Sequence, residues 1–483
     1  MLPIVIARNN LGQIQKHRRA GPCAGTALLV AAACGLVPAN AQAPPAAASA
    51  AQTADQPIVI TLDEAIRRAE SSEPAYAASK AASQSSQLDR SIARAGLLPN
   101  ARYYSQGIYT QPNGISTEGD EGELSAPLPR FVANDSRPRE YIAQGIVDET
   151  LGLAGPAAVR RADAAAAMAR AQLEIARRGL AATVTEMFYS SLAADHKVTI
   201  AQRAYKDAMD FTAITGEREK EREAAHADVL KAQLTEQQQW RSVQDALLAA
   251  ETARLDLGVL LFADPRTPYT LKAPQAEPPL APFADVEAAA AKNNPELKSA
   301  LANLDASNAD VLGARAALLP TLGLNVTYGI DANEFAVNGP LVNDSLHPNG
   351  IQARNLGYST SFTVNLPVWD WLSTEHKVKQ SEIRRDAARM ALTAAQRQLI
   401  ANLQAYYDAA KTAQEELASL EASAADAAES LRLSELRYKG GEALVLEVVD
   451  AQNANVAAEN AREDGRVRYE SALAALQTLT GNM

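Results

Sequence analysis

The sequence predicts a mainly α-helical fold built twice over, each half contributing a long antiparallel helical hairpin and two β-strands of membrane-crossing length. Three observations predict it: an internal repeat at constant spacing, two stretches of strict alternation between oily and small polar residues, and a very long run without glycine or proline. Composition agrees. The chain is 47% hydrophobic but only 5% aromatic, and alanine supplies much of the apolar content. Alanine favours helix and lets neighbouring helices approach closely.

The first 41 residues read as a secretory signal, with Arg8, Lys16, Arg18 and Arg19 ahead of an apolar run from Gly25 to Val37 and a small-residue cleavage site at Ala39-Asn40-Ala41. Removing four basic and no acidic residues changes the net charge from -11 to -11 − 4 = -15, which disfavours nucleic acid as a partner. The only two cysteines, Cys23 and Cys34, lie inside this segment, so cleavage after Ala41 leaves no thiol for disulfide, zinc or thiol chemistry. The competing reading makes Cys34 a lipid-anchor acceptor, although alanine stands three residues before it, where leucine is usual. Residues 42–60 are expected to be a flexible leader, since much of the stretch is alanine, proline and glutamine without periodicity.

Two repeats follow, expected at 61–264 and 283–483. Ala93-Arg94-Ala95-Gly96-Leu97-Leu98-Pro99 returns as Ala314-Arg315-Ala316-Ala317-Leu318-Leu319-Pro320, an offset of 320 − 99 = 221 that Pro74/Pro295 and Asp89/Asp310 share. The prolines of 265–282 mark a linker between the repeats. In each repeat a helix ends at the leucine-proline stop and a strand begins. Leu322, Leu324, Val326, Tyr328 and Ile330 fall on one face of Thr321–Ile330, and Tyr358, Thr360, Phe362, Val364 and Leu366 on one face of Gly357–Leu366. Such segments have the span of a tilted transmembrane strand, but a soluble sheet shows the same alternation. The first-half counterparts, near Ala101–Thr110 and Glu140–Asp148, alternate less cleanly. Export and the long polar loops Gln111–Arg139 and Asp331–Asn355 favour the membrane reading. Four strands cannot close a barrel, and an open edge in hydrocarbon costs several kcal/mol per unpaired backbone group. Membrane insertion therefore requires several chains, and three would supply twelve strands.

Trp371–Lys439 contains neither glycine nor proline, enough for a helix on the order of 100 Å long. It reverses at Gly440-Gly441 into a second helix from Leu444 to Leu479. The first repeat should carry a matching hairpin, Pro156–Thr212 with Ala224–Phe262.

At this hairpin the sequence resembles the TolC-like outer-membrane efflux proteins. Arg437-Tyr438-Lys439-Gly440-Gly441-Glu442-Ala443-Leu444-Val445-Leu446-Glu447-Val448-Val449-Asp450-Ala451-Gln452 is similar to that family's helix-turn-helix tip. Thr61-Leu62-Asp63-Glu64-Ala65, the repeated leucine-proline, Asn365-Leu366-Pro367-Val368-Trp369-Asp370 and the closing Leu479-Thr480-Gly481 support the match. The resemblance implies a homotrimer with a twelve-stranded outer-membrane barrel continued by a periplasmic helical barrel. Such a duct docks with a periplasmic adaptor and, through it, an inner-membrane pump, needs no cofactor, catalyses nothing, and is gated where hairpins part at the tip.

The resemblance also assigns roles. Glu447 and Asp450 match acidic positions that point into the entrance, and their spacing puts them on one helical face. Repeated around a threefold axis they would favour cations; without the tip motif they would read as a solvated acidic stripe on a coiled-coil surface. Tyr438 matches a tyrosine that bonds across hairpins, or it packs beside the turn. The arginine of that latch would fall at Ala443 and is missing. Gly440 and Gly441 are expected as turn residues. The first-half tip replaces the glycine turn with Glu217-Arg218-Glu219-Lys220-Glu221-Arg222-Glu223, a solvated helical face of local ion pairs or an adaptor-docking surface.

No phosphate loop or nucleophile elbow occurs, and His196, His226, His347 and His376 are scattered, so no metal or catalytic constellation is expected. A periplasmic coiled-coil adaptor or scaffold remains the alternative, and a secreted helical enzyme stands further off.

Overall fold

Apart from one extra pair of strands in the second half, strands and helices follow one another in the same order in the two halves of the computed structural model, which describes residues 58–109, 139–273, 279–332, 335–344 and 347–481. The signal segment with Cys34, and the loop interior from 110 to 138, lie outside the described residues. The elements are β1 (Ile58–Ile60), α1 (Leu62–Ser72), α2 (Pro74–Ala95), β2 (Asn100–Tyr109), β3 (Arg139–Leu151), α3 (Ala154–Lys220), α4 (His226–Leu261), β4 (Tyr269–Leu271), α5 (Phe283–Asn293), α6 (Pro295–Ala316), β5 (Thr321–Ala332), β6 (Asn338–Asp344), β7 (His347–Arg354), β8 (Leu356–Asn365), α7 (Ser373–Lys439) and α8 (Val445–Thr480). The two outgoing helices, α3 and α7, each have 67 residues, and the two returning helices, α4 and α8, each have 36.

Local chemistry sets these boundaries. Thr61 caps α1 by accepting from the Glu64 amide at 3.4 Å, and Asn294 caps α6 by accepting from the Leu297 amide at 2.7 Å. Pro74 and Pro295, the repeat-related prolines, each open a helix at its first position, where no amide is needed. The leucine-proline stops then hand α2 to β2 and α6 to β5.

The expected strands form one antiparallel sheet in the order β2-β3-β5-β8. Its register places Leu322 opposite Val364, Leu324 opposite Phe362 and Tyr328 opposite Tyr358, so the oily residues share a face. Val147 faces Val326, and Tyr103 faces Gly145 across the next pair. Glu149 and Ser105 interrupt this face, which is why the first-half strands alternate less cleanly in sequence. A side chain at Gly329 would meet the Ala143 carbonyl oxygen at 2.2 Å, so glycine is required for the close β3–β5 approach. Among the described residues, the outer edges of β2 and β8 pair with nothing.

Two expectations need correcting. The second long loop is not structureless, because β6 and β7 pair antiparallel within it. The leader and the linker each hold a short strand, and β1 pairs in parallel with β4 from Ile58–Tyr269 to Ile60–Leu271. That pair is held by a buried cluster of Ile60, Val184, Phe188, Leu257, Leu261 and Tyr269. Burial pushes the Tyr269 hydroxyl up to about 12, and it donates to the Arg254 carbonyl at 2.7 Å.

The long helices pack side by side through alanine. α3 lies against α4, α6 and α8, while α7 lies against α6 and α8. The buried Arg178 guanidinium closes the C-terminus of α8, donating to the Thr478 carbonyl at 3.0 Å and to the Asn293 carbonyl at 3.3 Å. A cation there complements the helix dipole. No described helix is long and apolar enough to cross a membrane.

Candidate functional site

The two hairpin tips make the same turn from different residues. After α7, Gly440 keeps right-handed geometry at φ -77 and Gly441 takes φ 78. The Gly441 amide donates to the Tyr438 carbonyl at 3.0 Å and the Glu442 amide to the Arg437 carbonyl at 2.9 Å, the paired bonds of a Schellman motif. After α3, the Arg222 amide donates to Glu219 at 2.9 Å and the Glu223 amide to Arg218 at 2.8 Å, with Arg222 at φ 66. Of the two expected turn glycines, then, only Gly441 uses glycine's freedom. The charged first-half tip is no departure in backbone. Arginine adopts there what glycine adopts in the second.

Tyr438 is buried in a cluster with Phe211, Ala232, Val445 and Val448. Its ring lies 4.9 Å from that of Phe211, and its hydroxyl donates to Thr215 Oγ1 at 3.3 Å. Phe211 and Thr215 belong to α3, so Tyr438 both packs and bonds across the two hairpins of one chain. Arg218 completes the contact. Its guanidinium stacks 4.9 Å from the Tyr438 ring centroid, Nη1 donates to the Tyr438 carbonyl, and Nε lies 3.3 Å from Glu223. A guanidinium over an aromatic face is worth about 0.5–2 kcal/mol, depending on exposure.

Sequence reasoning placed Arg218 in a solvated charge run. Its neighbours fit that reading, since Lys220 pairs with Glu217 at 2.7 Å and His226 with Glu219 at 2.7 Å, in the open. Arg218 does not, and only the spatial meeting of α3 with α7 reveals it. Glu447 and Asp450 are both exposed, on the face of α8 opposite the buried Val445 and Val448. Arg437 lies 3.3 Å from Glu447 and partly neutralises it.

Further along α8, three carboxylates meet α3. Glu459 pairs with Arg203 at 3.0 Å, Asp464 with Lys197 at 2.5 Å, and Glu463 with His196 at 2.8 Å. The His196 hydrogen bond, aided by Arg462 and by the charges of His196 and Arg466, holds the buried Glu463 carboxyl down to about 2 against the cost of burial. Nearer the tip the sign reverses. Burial raises Asp207, with Asp210 and Glu459 adding to it, and burial followed by the nearby Asp207 raises Glu435. Among the described residues no group of three potential metal ligands occurs.

Comparison with known proteins points one way. Residues 288–482 match the family model described as outer membrane efflux protein. Protein CyaE of Bordetella pertussis is 28% identical over 263 residues, 50% of this chain and 52% of that one. Outer membrane protein OprJ of Pseudomonas aeruginosa is 27% identical over 182 residues, 38% of this chain and 36% of that one. The match thus spans about half the length, or less, of these curated relatives. Among solved structures, the Campylobacter jejuni CmeC outer membrane channel superposes with a TM-score of 0.67 at 16% identity, covering 87% of this chain and 85% of that one. At that identity the likeness concerns the fold.

Proposed function

The chain belongs, through residues 288–482, to the outer membrane efflux protein family, and from that membership we propose that it is the outer-membrane exit duct of a tripartite efflux or type I secretion system. The duct is a homotrimer. Its twelve strands close one barrel, and its helices continue that barrel into the periplasm, where an adaptor joins it to an inner-membrane pump. Proteins of this family are channels, and this one moves its cargo passively.

One observation carries the reading. An antiparallel sheet with an oily face and two edges that are unpaired among the described residues is joined at one end to helices of 67 residues. An open sheet cannot lie in lipid, so its edges call for identical neighbours. The repeated element lengths suit a duplicated unit, in which three chains give six nearly equivalent hairpins. A soluble coiled-coil scaffold would have no use for such a sheet.

The entrance lies at the tips. Arg218, Tyr438 and Thr215 hold hairpin to hairpin, and Glu447 and Asp450 form acidic rings in the opening. The test is conductance in planar lipid bilayers, with trimer mass measured in detergent. The unsubstituted protein should form cation-preferring channels of low open fraction. Arg218→Ala should raise the ratio of open to closed channels about tenfold for each 1.4 kcal/mol of contact removed. Glu447→Gln with Asp450→Asn should move the cation preference towards unity while leaving the open fraction in place. A monomeric, non-conducting protein recovered from the soluble periplasm would overturn the duct.

A further inference from the structure

The buried stripe of α8 turns polar partway along its length. Val445, Val448, Gln452, Asn455 and Glu459 recur at spacings of three and four, the rhythm of a helix packed among others. The first two are apolar and join the tip cluster. The next three are polar and nearly as enclosed: Gln452 is 5% exposed, Asn455 9% and Glu459 9%. They line a cavity of about 10 Å³ where α3, α4, α7 and α8 converge, together with Arg203, Asp207 and Gln239. Part of this wall has partners. Arg203 pairs with Glu459 at 3.0 Å, and Gln239 Nε2 donates to Asn453 Oδ1 at 3.3 Å. The other amides differ: among the described residues, Gln452 Nε2, Gln452 Oε1 and Asn455 Oδ1 have no hydrogen-bond partner.

We propose that this cavity binds one water molecule between Gln452 and Asn455, and that the hydrated layer is the joint where the tip segment of α8 yields when the hairpins part. The joint rests on the gated-duct reading and names a place that reading leaves open; the water site stands without it. The chemistry of the unpaired atoms selects water. They comprise one donor group and two acceptors, so a metal cation would leave Nε2 unpaired and an anion would leave both oxygens unpaired. Water donates and accepts. The cavity is of the size that holds one water molecule, and its walls are polar enough to keep it. Burying such atoms without a partner is costly, and a bound water offsets that cost at little loss of freedom.

On either side of this layer the contacts are direct. Towards the tip, the rings of Tyr438 and Phe211 pack at 4.9 Å. Away from it, Glu463 meets His196 at 2.8 Å and Asp464 meets Lys197 at 2.5 Å. Apolar packing and ion pairs each hold one geometry. A water molecule can turn and remake its bonds after the amides have shifted, so α8 moves against α3 at the lowest cost here.

The test begins with the unsubstituted, detergent-extracted protein, imaged at a resolution that shows ordered water. One density peak about 2.7–3.2 Å from the side-chain amides of Gln452 and Asn455 is expected. Contacts of about 2.3–2.6 Å to several oxygens would mean a calcium-like cation, and no peak, with Gln452 turned onto a protein partner, would mean a dry seam; either overturns the site. Gln452→Met with Asn455→Leu then replaces the amides by apolar groups of similar shape. Hydrogen exchange over residues 449–460 should slow about tenfold, and the ratio of open to closed channels in planar bilayers should fall by a similar factor. Exchange that slows with no change in opening overturns the joint and supports the water site. Exchange that is unchanged or faster, in a variant of normal helical content by circular dichroism, overturns the site. If the unsubstituted protein forms no channel, the duct reading fails and the joint with it, while density and exchange still decide the water site.

Discussion

Arg222 carries a cost that Gly441 avoids. Both occupy the left-handed position of the same turn, at φ 66 and φ 78, and that conformation costs a residue with a Cβ about 1–2 kcal/mol. Arg222→Gly should therefore stabilise the first tip by about 1 kcal/mol, and Gly441→Ala should weaken the second by a similar amount. Hydrogen exchange at the Glu223 and Glu442 amides, which donate to the Arg218 and Arg437 carbonyls, reads each tip separately: slower in the first variant, faster in the second. Equal exchange in all three proteins would mean that the turns carry no strain. The Gly440-Gly441 turn was visible in sequence because glycine announces such geometry. The Arg222 turn was not, since the returning helix must dock on α3 whatever residue stands at the reversal.

The same contrast holds between elements. β5 and β8 could be read directly, because each presents one face of mostly large apolar residues, broken only by Thr360 in β8. β1 and β4 could not, because three residues are too few for periodicity and the paired residues lie 269 − 58 = 211 positions apart, β1 ahead of the first repeat and β4 in the linker after it. The seam between α3 and α8 was hidden for a similar reason: Arg203, His196 and Lys197 acquire meaning only beside Glu459, Glu463 and Asp464. Its response to pH follows from Glu463. A carboxyl held at about 2 when folded, against an ordinary value of 4.5, adds stability that is complete above its unfolded value and is lost as pH falls through the folded one. The contribution is on the order of 3 kcal/mol. Acid should thus loosen the middle of the seam, where exchange on α8 should quicken below about pH 4.5. Asp207 of α3 and Glu435 of α7 are shifted the other way, so their unfavourable charging is relieved by acid and the tip-ward ends of α3 and α7 should resist. Glu463→Gln should abolish the mid-seam response. If acid quickens exchange equally along α8 in both proteins, Glu463 is not the responsible group.

At the scale of the whole molecule, the repeat says where neighbouring chains should meet. The tips superpose at an offset of 441 − 222 = 219, which relates α3 to α7 and α4 to α8. Within the chain, Ile214 of α3 and Val449 of α8 are partly buried against the tip cluster. Their counterparts at that offset, 214 + 219 = 433 and 449 − 219 = 230, are Leu433 of α7 and Leu230 of α4. Both are 46% exposed in the single chain. In a ring of three, α7 of one chain would lie against α4 of the next as α3 lies against α8, and the two leucines would bury one another. The unpaired edges of β8 and β2 would meet at the same joint. Leu433→Lys should therefore leave the helical content of the chain unchanged by circular dichroism yet weaken each joint by about 2 kcal/mol, the value of burying a leucine. Sedimentation in detergent should then show monomer at concentrations where the unsubstituted protein is trimeric. Adding Leu230→Glu should restore the trimer by placing a carboxylate opposite the ammonium across the joint. If Leu433→Lys sediments as a full trimer, the chains join through other surfaces and the sixfold repetition of hairpins does not hold.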